Sequence, residues 1–307
     1  GSPIKTLGDD KQNMINILFK GSMTAIITPF KDGGVDEDAF RKLINWQIES
    51  GINVLVPCGT TGESATITPE EHDQIIRVAV QESAGRVLIL AGSGSNSTAT
   101  AIKLAKQAKA AGANGMLQVT PYYNKPTQEG LYRHFAAIAE EADLPMVLYN
   151  VPGRTGVNMK PETVLRLAQI DSIVGIKEAS GDITQAKQII ATAPPSFSVI
   201  SGDDAMNLEI YKAGGKGCIS VTSNVVPDRV AKVWDFFQNG NMDEAKRLQE
   251  DLSDLNRAMF LETNPIPAKT ALAYMGRCKE EFRLPLTRMG QTAKEELIGI
   301  LRNNNII

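Results

Sequence analysis

Met146-Val-Leu-Tyr-Asn150 and Ser172-Ile-Val-Gly-Ile-Lys177 are the two stretches on which the reading of this chain turns. Each is a short, nearly continuous apolar run that ends on a polar group. Continuous rather than alternating apolarity marks a strand covered on both faces, as in parallel sheets flanked by helices. Six more runs of the same kind lie around them: Met23-Thr-Ala-Ile-Ile-Thr28, Ile52-Asn-Val-Leu-Val-Pro57, Val87-Leu-Ile-Leu-Ala91, Gly115-Met-Leu-Gln-Val-Thr120, Phe197-Ser-Val-Ile-Ser201 and Cys218-Ile-Ser-Val-Thr222. They recur every ~20–35 residues, the length of one βα unit.

The stretches between the runs read as helices with legible ends. Thr68-Pro69-Glu70-Glu71 is a capping box, with Pro69 where no backbone donor is lost. Apolar positions from Ile75 to Val80 fall at helical spacing. An Ala/Lys-rich helix from Ala101 to Ala111 stops at Gly112, and Asp182 with Gln185 reads as another helix start. Eight strands, each followed by a helix, predict a (β/α)8 TIM barrel. A doubly wound open sheet is the competing arrangement, but Pro29-Phe-Lys-Asp-Gly-Gly34 after the first run is no phosphate loop. Beyond the eighth run the pattern is wholly helical, near Pro227–Phe237, Met242–Leu261, Pro267–Met275 and Thr292–Leu301. The expected organisation is a tag remnant over residues 1–13 with Met14 as the start, a barrel over 14–239, and a small C-terminal α-helical bundle over 240–307.

Composition excludes several classes of function. The 307 residues carry a net charge of −3, which offers no basic field for nucleic acid or anionic lipid. No apolar run reaches the ~20 residues that span a bilayer. Cys58, Cys218 and Cys278 are far apart and form no CxxC pair; with His72 and His134 as the two histidines, no metal site is expected. Unpaired thiols and the lack of a signal-peptide pattern point to the cytoplasm.

Active sites of barrels sit at the C-terminal ends of strands and in the loops that follow. Lys177 ends the sixth run. Removing an amine from water disfavours its ammonium form, as a nucleophilic amine requires; the position equally suits a lysine carrying its charge out to solvent. Tyr149, near the end of the fifth run, can relay protons or be an ordinary core tyrosine. Gly59-Thr-Thr-Gly-Glu-Ser64, after the second run, offers backbone amides and hydroxyls to a small carboxylate. Arg154, in the turn after the fifth run, can clamp a carboxylate or simply lie exposed. Gly92-Ser-Gly-Ser-Asn-Ser97 reads as a plain βα loop.

Taken together, Gly59-Thr-Thr-Gly-Glu63, Thr120-Pro-Tyr-Tyr-Asn124, Tyr149-Asn-Val-Pro-Gly-Arg-Thr155, Gly175-Ile-Lys-Glu-Ala179, Ser201-Gly-Asp-Asp204 and Asn264-Pro-Ile-Pro267 resemble the dihydrodipicolinate synthase family. That family belongs with the pyruvate-dependent aldolases that include N-acetylneuraminate lyase. The resemblance runs from about Gly21 onward. It implies condensation of pyruvate with aspartate 4-semialdehyde in lysine and diaminopimelate biosynthesis. Lys177 would form the Schiff base, and Tyr149, Thr61 and Tyr123 would relay protons, with Tyr123 reaching into a neighbouring subunit of a homotetramer. Thr60 and Thr61 would hold the pyruvate carboxylate and Arg154 that of the semialdehyde, while Gly202 and Ile219 would line the lysine. The imine itself is the electron sink, so no metal or organic cofactor is expected.

Two rivals stay open at this point. Another Schiff-base aldolase, acting on a sugar-derived substrate, would share Lys177 and Tyr149; the Thr60-Thr61 pair and Arg154 favour a short acidic aldehyde. A catalytically inert barrel would serve as a binding protein. The resemblance also implies an allosteric lysine site formed by Ser64, His72, Asn96 and Tyr122. Thr100 stands where lysine-sensitive relatives carry a glutamate, and Pro69 where some carry a histidine, so weak or absent lysine feedback is expected. His72 also reads as an ordinary exposed residue of its helix.

Overall fold

The computed structural model describes residues 19–307; the tag remnant expected over residues 1–13 and the start expected at Met14 lie outside them. Eight parallel strands close into a barrel: β1 (Gly21–Thr24), β2 (Val54–Leu55), β3 (Leu88–Gly92), β4 (Gly115–Val119), β5 (Met146–Asn150), β6 (Ile173–Glu178), β7 (Ser198–Ser201) and β8 (Gly217–Ser220). β8 pairs in parallel with β1, Met23 opposite Ile219, which completes the ring. One helix follows each strand: α1 (Glu37–Glu49), α2 (Pro69–Ser83), α3 (Thr98–Ala110), α4 (Gln128–Ala142), α5 (Pro161–Leu167), α6 (Ile183–Thr192), α7 (Asn207–Ala213) and α8 (Pro227–Gln238). The chain is a (β/α)8 barrel, and the open-sheet alternative falls.

The helix ends follow the chemistry of their residues. Thr68 Oγ1 accepts from the Glu71 amide at 3.2 Å while the Glu71 carboxylate accepts from the Thr68 amide at 2.9 Å. One oxygen of Asp182 accepts from the amides of Thr184 and Gln185. Ala111 ends α3 and Gly112 follows at φ +92°. Four further helices come after the barrel: α9 (Met242–Asp251), α10 (Ser253–Ala258), α11 (Ile266–Tyr274) and α12 (Gln291–Asn303). The single helix expected over Met242–Leu261 is thus two, joined at buried Leu252.

Apolar side chains divide between two cores. Met23, Val54, Leu90, Leu117, Val147, Ile200 and Ile219 fill the barrel interior, and a larger cluster lies between strands and helices. The first run is longer in the sequence than its strand. After Thr24 the backbone bonds leave the regular ladder: the Ile27 amide donates to the Asn224 side chain at 3.0 Å, and the Thr28 hydroxyl to the Gly62 carbonyl at 2.8 Å. Apolarity marks burial, but a strand also needs a neighbouring backbone to pair with.

Both histidines are buried. Burial brings the pKa of His134 down to about 4 from 6.5. Between these values the unfolded chain binds a proton that the folded chain does not. Stability is therefore lost as the pH falls from 6.5 towards 4, by about 3 kcal/mol in total for this group. Urea denaturation at pH 7 and pH 4.5 should register the loss, and His134→Gln should shrink the difference by most of that amount.

Candidate active site

A shift of register places the two decisive residues together. Met146 pairs with Ile173, but Val147 pairs with Gly175, so β6 carries one extra residue at that point. Side chains alternate with a period of two, and a slip of one residue exchanges the faces. As a result Lys177 lies opposite Tyr149, and Glu178 opposite Asn150. The Lys177 Nζ sits 4.4 Å from the centre of the Tyr149 ring, and the two residues are only 5% and 7% exposed. Glu178 turns to the outer face, where it accepts from Ser180 N at 2.7 Å, and from Asn150 Nδ2 and Gln185 Nε2, each at 3.1 Å. From the sequence Gln185 reads only as part of a helix start and Asn150 only as part of a motif, although both hold the ends of β5 and β6 in place.

Gly202 completes the wall beside Lys177. A Cβ there would come within 3.0 Å of Lys177 Cε and 2.6 Å of Ala179 Cβ, so the lysine stem takes the room of a side chain. Ile219 is buried in the barrel interior. Past β7, the buried Asp204 carboxylate accepts from the amides of Val221 and Thr222 at 2.9 and 3.0 Å and so fixes the loop after β8.

The loop after β2 is tightly wound. Amides of Gly62, Glu63 and Ser64 are spent on the carbonyls of Gly59 and Thr60. Among the described residues those of Thr60 and Thr61 donate to no group, which leaves two adjacent N–H donors for an anion. Cys58 and Glu63 flank this turn at φ +57° and +56°, conformations that cost energy for residues with side chains. The loop passes so close to β3 that a Cβ on Gly92 would lie 2.2 Å from the Cys58 carbonyl oxygen. What reads as a plain βα loop therefore begins with a glycine that the anion loop requires.

Thr61 is buried and its hydroxyl oxygen accepts from Asn264 Nδ2 at 3.0 Å. The Asn264 carbonyl in turn accepts from Arg154, which stands exposed on the helical turn Pro152–Thr155, at 3.2 Å. Thr61, Asn264 and Arg154 thus form one line across the mouth of the barrel. Tyr123 does not join the residues of its own chain: it is 90% exposed, at φ +74°, with its amide 3.4 Å from the Thr155 carbonyl. A cleft of about 870 Å³ lies between α1 and the segment after α11, and none of these residues lines it. A buried amine against a phenol, two free amides, a buried hydroxyl and a guanidinium suit carbonyl chemistry on a small keto acid.

The profile of the dihydrodipicolinate synthetase family matches residues 18–304. The chain belongs to this family. A relative from Thermodesulfovibrio yellowstonii, named 4-hydroxy-tetrahydrodipicolinate synthase, is 53% identical over 94% of this chain and all of its own length. The solved dihydrodipicolinate synthase of Aquifex aeolicus superposes with a TM-score of 0.92 at 44% identity, covering 94% of this chain and 99% of its own. A monomeric dihydrodipicolinate synthase variant superposes at 0.93 with 43% identity, over 97% of this chain and 99% of its own.

Of the four positions read as the family's lysine site, Ser64 and Tyr122 are exposed and Asn96 is half-buried. Asn96 Nδ2 donates to the Tyr122 carbonyl at 3.2 Å. His72 is not an exposed helix residue: it shares the inward face of α2 with Ile75, Ile76 and Ala79, with Nε2 2.7 Å from the Gly92 carbonyl. Burial pushes its pKa down. Thr100 is exposed near the start of α3.

A fully buried ion pair lies next to the anion loop. Lys269, on α11, donates to Glu63, and its Nζ also lies 3.1 Å from the Glu281 carbonyl and 4.1 Å from the Phe30 ring centre. Burial pushes the Lys269 pKa down, and the Glu63 carboxylate opposes this. Arg283 covers the other part of the loop with a two-pronged bond to Glu71, both contacts 2.5 Å. Lys269→Met would leave the Glu63 carboxylate buried without a counterion. Stability should drop by about 3–5 kcal/mol in chemical denaturation, and adding Glu63→Gln should restore most of it.

Proposed function

We propose that this chain condenses pyruvate with aspartate 4-semialdehyde through a Schiff base on Lys177, giving 4-hydroxy-tetrahydrodipicolinate. The observation that carries the reading is the Lys177 amine, enclosed in the barrel mouth directly against Tyr149. The amine adds to the keto carbon of pyruvate and water leaves, forming the imine. The imine draws electrons from the methyl group, a proton departs, and the resulting enamine carbon attacks the aldehyde. Finally the amino group of the acceptor displaces Lys177 from the imine carbon, closing the ring and freeing the enzyme. Tyr149 and Thr61 pass protons in this scheme, and Thr60 and Thr61 hold the pyruvate carboxylate through their free amides.

The relay is completed by Tyr123 of a neighbouring copy, within a homotetramer built as a dimer of dimers. Support comes from the 90% exposure of this tyrosine and from its positive φ, a strained conformation. Lysine feedback is weak in this reading, because Thr100 brings no carboxylate to a bound ammonium and His72 is committed to Gly92. A cytoplasmic setting fits three cysteines that remain free thiols. Among the described residues no helix is long and apolar enough to cross a membrane.

Borohydride reduction in the presence of pyruvate should add one adduct, on the peptide that carries Lys177, and Lys177→Ala should abolish both the adduct and turnover. An adduct on another lysine would refute the assignment. Turnover is measured with aspartate 4-semialdehyde as acceptor, and a preference for a sugar-derived aldehyde would overturn the choice of substrate.

Tyr123→Phe and Lys177→Ala proteins, each inactive alone, should recover activity when mixed and allowed to exchange subunits. Complete exchange without recovery would show that each site is built from one chain.

A further inference from the structure

Beside the barrel mouth lies a second cleft, of about 550 Å³, lined by Arg154, Phe260, Glu262, Thr263 and Asn264. That volume suits a small molecule. One wall is the helical turn after β5 and the other is the segment between α10 and α11. Arg154 uses a single N–H, on the Asn264 carbonyl at 3.2 Å. Glu262 uses one oxygen, which accepts from the Gly290 amide at 2.9 Å. Among the described residues neither side chain forms an ion pair. A cation and an anion therefore border the same cleft, each with bonding capacity to spare.

Asn264 ties this cleft to the chemistry. Its backbone carbonyl receives Arg154, while its side chain donates to Thr61 at the anion loop. Asn264 thus links the wall of this cleft to the Thr61 hydroxyl. The complementary ligand carries an ammonium and a carboxylate on one carbon, because such a head group satisfies both side chains at once.

We propose that Glu262 is a specificity residue that receives the α-ammonium of the acceptor while Arg154 takes its carboxylate. This rests on the reading of the acceptor as aspartate 4-semialdehyde and adds what separates that substrate from an aldehyde acid without an amine. Phe260, 51% exposed on the same cleft, offers an apolar side to the carbon chain between the charged head and the aldehyde.

Glu262→Gln keeps an oxygen for the Gly290 amide and removes only the charge. The test quenches single turnovers with borohydride at successive times and measures how fast the adduct of pyruvate alone disappears from Lys177, whether by release of product or by conversion to a heavier adduct. Two acceptors are compared: aspartate 4-semialdehyde and succinate semialdehyde, its counterpart without the amino group. For the variant, the rate constant at low acceptor concentration should fall roughly ten- to a hundredfold with the first and stay unchanged with the second. Formation of the pyruvate adduct itself should be unaffected. Equal losses with both acceptors, or no loss with either, would overturn the role of Glu262. Wild-type protein that binds pyruvate yet leaves aspartate 4-semialdehyde unreacted would overturn the acceptor reading along with it.

Discussion

One extra residue in β6 governs the arrangement of the site. If the pairing that begins at Met146 and Ile173 continued without the slip, Lys177 would stand opposite Asn150, whose side chain faces the outer network. The amine would then leave the barrel and the Glu178 carboxylate would enter it. Shifting the register by one residue reverses that outcome for the rest of the strand. It also sorts the charges: the carboxylate is kept on the far side of the sheet among amide donors, while the amine sits against the face of a phenol ring.

The second constraint acts from outside the barrel. The β2 loop is wound through two left-handed residues and exposes two unused amides, a shape of low intrinsic stability. It is held by groups from the C-terminal helices and the turns between them: Lys269 on Glu63, Arg283 on Glu71, and Asn264 on Thr61. Each contact takes one residue of the loop or of the helix that follows it. The C-terminal helices therefore act as part of the site's scaffold.

Much of this was legible in the sequence because it is local or periodic. Continuous apolar runs mark parallel strands, Thr68 and Glu71 mark a helix start, and Lys177 stands at the end of its run. Distant pairings left no such trace. Nothing in the spacing of Glu63 names Lys269 as its partner, and the register slip is invisible in Ile173-Val-Gly-Ile-Lys177 because Val and Gly fit a regular strand as well as a bulged one. His72 was misread for a related reason. A histidine among charged neighbours looks exposed, yet helical periodicity puts it in line with Ile75, Ile76 and Ala79. Arg154 and Glu262 are more than a hundred residues apart in the chain and share a cleft only once the fold brings the turn after β5 against the segment before α11.

The span between Glu63 and Lys269 has a consequence for the order in which the protein matures. The two groups are 206 residues apart, so a chain leaving the ribosome presents the β2 loop long before its counterion exists. Until Lys269 arrives, the Glu63 carboxylate gains more from water than from burial, and the loop has no reason to take its final path. The ring of strands also waits, since β1 closes only against β8. Contacts this distant along the chain form late and slowly. Local βα units can collapse during synthesis, while the β2 loop and the ring of strands await partners from the last third of the chain.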